Sequence, residues 1–392
     1  MELNQMEKEK PIFFPGLNGL RAIAALGVVL SHITVELEQF GLNPHIIGTK
    51  PSGGPRGLDL ADFGVTMFFA LSGFLITFLL LAENKRHPIK IKDFYMRRIL
   101  RIWPLYYIYF LIAMALTWFW QQDDQGGMVF FYIFFAANIP KILSMQIPLL
   151  SHYWSLGVEE QFYAFWPWAV KKNIPRLFFF TMAFLVLFLL LKVFVHEVFP
   201  GSYLEMAMYV LRFDCMMIGA LGAILYYRKN ELLIRVVSHV GVQAAAWVAI
   251  ILVAFNRFHI VSLLDHEIIA GVTVALILGQ ITAKRKIFNL DNEAFDFLGK
   301  ISYGIYVIHP LVMAIGAKLL GPVSFGPDFI KYIVAYAGVT GVTILLAHLS
   351  YEHVEKRFLR LKGRYSTVKS AGTKHYQEEA EEAEVSALPR SS

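Results

Sequence analysis

The sequence predicts an all-α fold, a polytopic transmembrane helical bundle of about ten spans with one re-entrant segment. Three observations predict it. Over 392 residues, 56% are hydrophobic and 17% charged, with a mean hydropathy of +0.52, too little charge to cover a soluble domain of this size. The apolar residues fall in long runs, each able to cross a hydrocarbon core about 30 Å thick. Lys and Arg gather in short loops between alternate runs, the positive-inside distribution. That placement turns the formal net charge of +6 into a membrane signal and away from nucleic acid.

The first span, 16–34, follows MELNQMEKEK, a mixed-charge segment with no convincing small-residue cleavage site after it. It reads as a retained anchor and not a signal peptide. Further spans are predicted at 62–82, 102–120, 154–170, 177–198, 207–227, 241–257, 266–283, 299–319 and 329–350. The loop 83–101 holds Lys85, Arg86, Lys90, Lys92, Arg97, Arg98 and Arg101, which places it in the cytoplasm. Lys171, Lys172 and Arg176 mark a second inner loop, Arg228, Lys229 and Arg235 a third, and Lys284, Arg285 and Lys286 a fourth. The opposite loops, such as 121–127 and 320–328, are poor in positive charge. Ten spans close the count with both termini cytoplasmic, in a multi-pass protein of the cytoplasmic (inner) membrane. The stretch 128–147 would add an eleventh span and invert every later loop. Broken by Asn138 and Pro140, it is expected as a re-entrant or interfacial piece, which keeps the charge rule intact.

Three regions follow: a cytoplasmic N-terminal segment (1–13), a membrane domain (14–362) and a disordered cytoplasmic tail (363–392). The tail loses hydrophobic periodicity and runs through EEAEEAEV. No internal repeat is visible. The single cysteine, Cys215, sits in an apolar run, so no intrachain disulfide forms.

Ionisable side chains inside a span are costly and therefore functional candidates. Arg21 and His32 lie eleven residues apart in the first span, which brings them within about 20° of one face and roughly 16 Å apart along the axis. Glu36, at i+4 from His32, can face that ring. The alternative is that Arg21 snorkels to inner headgroups and His32 caps the outer interface. Arg97, Arg98 and Arg101 put three guanidiniums at the inner surface, either a phosphate site or a topology signal with anionic lipid. The segment from His152 to Tyr163 carries Glu159 and Glu160 among aromatic residues, in the headgroups or lining a cavity. Arg212 and Asp214 can pair with each other or with other helices, and a structural pair is the plainer reading. Ser302, Tyr303, Tyr306 and His309 follow helical spacing, although His309 alone could be a satisfied core histidine. Metal chemistry finds no support: the twelve His are scattered, and none stands in an HExxH spacing.

Taken in order, these pieces resemble the acyltransferase-3 family of membrane acyl-CoA-dependent O-acyltransferases, which modify bacterial surface polysaccharides and related acceptors. The resemblance runs from about 14 to 362. It rests on Arg21 and His32, Ser72-Gly73-Phe74-Leu75-Ile76, the cluster Arg97, Arg98 and Arg101, and Trp154-Ser155-Leu156 with Glu159, Phe162 and Tyr163. Arg212-Phe213-Asp214 and Ile301-Ser302-Tyr303-Gly304-Ile305-Tyr306 with His309-Pro310 complete it. Near the end, Glu355-Lys356-Arg357-Phe358-Leu359 carries Arg357 where the family has proline, which bears on the geometry of the final turn. The resemblance implies that Arg97, Arg98 and Arg101 bind the phosphates of acyl-CoA (acetyl-CoA by preference), a co-substrate and not a resident cofactor. It implies His32 as general base toward an acceptor hydroxyl and Arg21 as a donor to the developing oxyanion or the acyl donor. Glu159 joins them as a catalytic candidate, and Trp154, Ser155, Tyr163, Tyr303, Tyr306 and His309 shape the site. The expected partners are membrane lipids, the acyl-CoA donor and a carbohydrate or other hydroxyl acceptor, with no nucleic acid. Some relatives carry a fused extracytoplasmic domain, so this chain is expected to act alone or with a separate extracytoplasmic partner. The competing reading is a secondary transporter whose intramembrane His, Arg and Glu carry protons or substrate.

Overall fold

A computed structural model describes residues 12–46, 48–50, 53–56, 60–121, 126–321 and 327–365. Most of the segment 1–13, and the tail beyond residue 365, lie outside the described residues.

The first two helices, α1 (Leu17–Val35) and α2 (Leu60–Arg86), form the centre of a helical bundle. Small residues bring the two backbones close, as membrane helices commonly do: a Cβ on Gly64 of α2 would stand 2.9 Å from the Ala24 carbonyl oxygen of α1, and one on Gly27 would stand 3.1 Å from Leu60. The helix α3 (Ile91–Phe119) starts at Ile91 and not near 102, because the predicted span measured only the apolar part of a longer helix. The arginine cluster therefore sits on a rigid helix, where its spacing aims the side chains, and not in a loop.

The stretch 128–147 does not span. It folds into two short helices, α4 (Val129–Ile133) and α5 (Asn138–Ile142), separated by a left-handed Phe135 (φ 54°). The irregular backbone is satisfied by hydroxyls and amides of neighbouring helices: Tyr106 donates to the Tyr132 carbonyl (2.6 Å), Tyr109 to that of Leu149 (3.0 Å), and Gln161 to that of Phe135 (3.2 Å). Non-helical backbone at membrane depth is tolerated where protein covers it in this way.

Next come α6 (Tyr153–Asn173) and α7 (Leu177–Val198). The span predicted at 207–227 is broken into α8 (Tyr203–Leu211) and α9 (Phe213–Tyr227) at Arg212, whose φ of 42° is left-handed. The helices α10 (Glu231–Ser238) and α11 (Val240–Ala254) meet at 65°. Then follow α12 (Asp265–Thr282), α13 (Glu293–Lys300) and α14 (Ser302–Leu320). The last span is continuous from Asp328 to Tyr365: α15 (Asp328–Ile333), α16 (Val339–Ser350) and α17 (Lys356–Lys362), joined by π-turns at Val334–Gly338 and Tyr351–Glu355. Arg357 is exposed on α17, and the chain stays helical past it.

Among the described residues, eight helices are long and apolar enough to cross a membrane, or nine with α10 and α11 taken as one bent span. The chain is a multi-pass membrane protein. Helix α6, at 21 residues, is about 31 Å long but falls outside that count, since Glu159, Glu160 and Gln161 lie mid-helix and Lys171 and Lys172 near its end. Its polarity is the first structural sign of a cavity.

The crossing of α2 and α9 explains part of the Ser72-Gly73-Phe74 motif. A Cβ on Gly73 would stand 1.9 Å from the Met216 carbonyl oxygen, and one on Gly219 would stand 2.1 Å from that of Ala70. Any side chain at either position forces the two helices apart. Glycine here is a packing requirement that places Ser72, its neighbour, at a fixed height in the bundle.

Arg212 and Asp214 do not pair with each other. Arg212, 2% exposed, donates to Asp62 Oδ1 (3.3 Å) and to the carbonyls of Asp62 (3.1 Å) and Tyr209 (3.0 Å), with its guanidinium over the Trp154 ring. Asp214 instead faces Lys192 (3.7 Å), which also pairs with Glu267. These interactions join α2 to the α8–α9 break and α7 to α9 and α12, satisfying charges that lipid would not.

Candidate active site

One cavity of about 590 Å³ runs into the bundle from the end that carries the arginine cluster. Its polar lining comes from seven helices, Lys300 at the end of α13 among them. Helix α1 supplies Asn18 and Arg21, α2 Ser72, α3 Arg98 and Arg101, α6 Ser155, Glu159 and Tyr163, α14 Ser302, Tyr303 and Tyr306, and α17 Lys362; the preceding π-turn adds Glu355. Phe14, Val65, Phe68, Phe69, Leu75 and Ile76 give it an apolar wall.

The cations gather at the mouth. Arg21 donates to Asn18 Oδ1 (3.3 Å), and Arg98 lies over the rings of Phe94 and Tyr163, 5.8 Å from each centroid. The Arg98 Nε is buried and has no hydrogen-bond partner among the described residues, which is a cost unless a ligand meets it. Arg97, two turns from the helix start, points elsewhere: it pairs with Glu83 (2.7 Å) and donates to the Tyr365 carbonyl (2.7 Å), and it does not line the cavity. Of the three predicted phosphate ligands, the structure brings Arg98 and Arg101 to the site and gives Arg97 to the α2–α3 junction.

Glu159 lies deeper and accepts hydrogen bonds from both Ser72 and Tyr163. Tyr163 is one helical turn from Glu159, so the pair is set by α6 alone, while Ser72 reaches it because Gly73 seats α2. Beyond it, the Tyr306 and Ser155 hydroxyls share a hydrogen bond (2.5 Å) beside the His152 carbonyl, 2.9 Å from Tyr306, and Tyr303 donates to the Ile102 carbonyl (2.7 Å). Trp154 is a packing residue between Phe69 and Arg212 and does not line the cavity.

His32 also stands outside the cavity wall, near the opposite end of α1 from Arg21. Its Nδ1 lies 2.8 Å from His309 Nε2, and His309 is packed beside His152 and Tyr306. The two histidines read separately from the sequence therefore form one pair, one turn past Tyr306 on α14. His152 joins them at a ring separation of 5.5 Å from His309, its Nε2 donating to the Val307 carbonyl (3.1 Å). Sequence reasoning did not single out Glu355 and Lys362 as site residues; the signal was the closing Glu-Lys-x-Phe-Leu motif, whose helix folds back over the mouth. Ser72 was legible only as part of a motif.

The site is thus an arginine-mouthed cavity with an apolar wall, ending beside buried histidines in a multi-pass bundle. The chain belongs to the acyltransferase-3 family: the family's model, an acyltransferase domain, matches residues 14–351. It is similar to a putative O-acetyltransferase of Staphylococcus aureus (strain COL), 26% identical over 384 residues that cover 89% of this chain and 58% of the relative. It is also similar to O-acetyltransferase OatA of Staphylococcus aureus (strain NCTC 8325 / PS 47), 25% identical over 398 residues, covering 92% and 60% respectively. The chain spans about three fifths of the length of these curated relatives. No solved structure matches it.

Proposed function

We propose that the protein transfers an acyl group, by preference acetyl, from cytoplasmic acyl-CoA to a hydroxyl of a cell-envelope carbohydrate or similar acceptor. The observation that supports this most is the polarity of the cavity along its length. Guanidiniums suited to a nucleotide's phosphates stand at the mouth, an apolar wall suited to a pantetheine arm follows, and the floor at Ser155 and Tyr306 lies one turn of α14 from the His309–His32 pair. The mouth lies at the end whose loops carry the positive charge, which the positive-inside rule puts in the cytoplasm with acyl-CoA and with both chain termini.

In the reaction the acceptor O–H gives its proton to His32 as its oxygen attacks the thioester carbonyl. The carbonyl oxygen gains negative charge beside His32; Arg21, roughly 16 Å away along α1, stands with Arg98 and Arg101 at the mouth and serves the phosphates of the acyl donor. The C–S bond then breaks, and the CoA sulfur takes the proton back from the imidazolium. Glu159 shapes the wall by holding Ser72 and Tyr163. The O-acetyltransferase names of the relatives support acetyl as the group and oxygen as the acceptor atom. The acceptor would reach His32 directly or be presented by a separate partner beyond the bilayer.

The test is to give purified protein in liposomes acetyl-CoA labelled in the acetyl group, with glucose oligomers and N-acetylglucosamine oligomers as acceptors. The expected result is base-labile label on oligosaccharide in step with release of free CoA thiol. Uptake of acetyl-CoA or oligosaccharide into the liposomes with no thiol release would support a transporter instead.

A further inference from the structure

In an α-helix the N–H of each residue meets the carbonyl four residues earlier, so the Tyr306 carbonyl would be met by the N–H of residue 310. That residue is proline, which has none. His309 takes its place: its Nδ1 lies 2.8 Å from the Tyr306 carbonyl oxygen and 3.3 Å from that of Ile305. A carbonyl only accepts, so Nδ1 carries the proton, and Nε2 of the neutral ring keeps a lone pair. That Nε2 faces His32 Nδ1 at 2.8 Å. One proton fits between two nitrogens so placed, and it belongs to His32. A second proton on His309 would bury an imidazolium at a position 1% exposed among the rings of His152 and Tyr306, an expensive place for a charge.

We infer that His309-Pro310 is a positioning device that fixes the tautomer of His32, so that His32 Nε2 is the nitrogen that takes the acceptor's proton. This rests on the reading of His32 as general base. Pro310 leaves a carbonyl open, the carbonyl fixes His309, and His309 fixes His32. The described residues offer His32 Nε2 no hydrogen-bond partner, so its lone pair is open to an incoming hydroxyl. With the proton on Nε2 instead, the ring cannot accept one there. His309 touches no reacting atom and acts through His32 only, as the aspartate of a Ser-His-Asp triad does, where the wrong tautomer costs about 10,000-fold in kcat.

The test uses the full chain in liposomes, with CoA thiol release from acetyl-CoA in the presence of oligosaccharide as the readout. His309→Gln sets an amide oxygen where Nε2 stood, and His309→Asn sets its amide where Nδ1 stood, one methylene shorter. The expected result is a kcat within about 10-fold of wild type for His309→Gln and a loss of about 100-fold or more for His309→Asn, with the KM for acetyl-CoA unchanged in both. Because His309 acts through His32, His309→Asn added to His32→Ala lowers the rate no further than His32→Ala alone. Pro310→Ala, which keeps both rings, returns an N–H to the Tyr306 carbonyl and lowers kcat at unchanged KM. Equal losses in the Gln and Asn variants, losses that multiply with that of His32→Ala, or an unchanged kcat in Pro310→Ala each overturn the device. Wild-type kcat in His32→Ala alone instead removes the general-base reading beneath it.

Discussion

His32→Ala is expected to lower kcat for acetyl transfer by about 100- to 10,000-fold, the span attributed to a positioned general base, or roughly 3–5 kcal/mol of barrier. The KM for acetyl-CoA is expected to stay near its wild-type value, because His32 lies outside the wall of the cavity proposed to take the donor. The split matters more than the loss. A histidine that only packed α1 against α14 would, when removed, loosen the bundle and disturb donor binding and turnover together. Steady-state kinetics with acetyl-CoA varied at fixed oligosaccharide, and circular dichroism to show retained helix, make the distinction. A raised KM with an unchanged kcat would place His32 in binding and leave the base unassigned.

The second large effect falls on the mouth. Replacing Arg98 and Arg101 together by Ala is expected to raise the KM for acetyl-CoA by about 100-fold or more, taking about 1.5–3 kcal/mol for each charged hydrogen bond lost. Dephospho-CoA thioesters, which lack one phosphate, should lose less of their binding than acetyl-CoA does. Arg97→Ala behaves differently. It breaks a buried pair with Glu83 and strands a carboxylate, which costs about 3–5 kcal/mol in a buried setting. The expected result for Arg97→Ala is a lower temperature of inactivation in detergent with a donor KM little changed in the folded fraction. Equal donor effects at positions 97, 98 and 101 would return all three to one phosphate site.

The difference between Arg97 and its neighbours shows where sequence reading stops. Spacing puts three guanidiniums within about one helical turn, and at 100° per residue positions 97 and 101 fall only about 40° apart on α3, so spacing alone does not separate Arg97 from its neighbours. Only the position of Glu83 on α2 decides which face is the mouth. The same limit applies to the histidines. His32 and His309 were each legible as intramembrane polar residues, yet a separation of 277 positions carries no local signal of contact; α1 and α14 had to be packed together first. By contrast, the spans themselves were legible because hydrophobic length and loop charge act locally. The failure of 128–147 to span was legible for the same reason, through Asn138 at the start of α5 and Pro140 within it. Arg212 hid its structural role because its neighbour Asp214 offered a nearer partner in sequence, while its left-handed backbone turns it toward Asp62. Lys192, Asp62 and Glu267 gave no motif at all, and their burial against opposite charges appears only in three dimensions.

The central claim is that the donor's acyl end reaches the floor of this cavity, beside the histidines, while its phosphates stay at the arginine mouth. Photo-crosslinking with an acyl-CoA whose acyl group carries a diazirine, followed by peptide mapping, tests it most directly. The account predicts label on α2, α6 and α14 around Phe68, Phe69, Ser155 and Tyr306, which line that floor, competed by acetyl-CoA and diminished in the Arg98→Ala, Arg101→Ala double variant. Label confined to lipid-facing helices such as α7, or label in the cavity that acetyl-CoA does not displace, would contradict it.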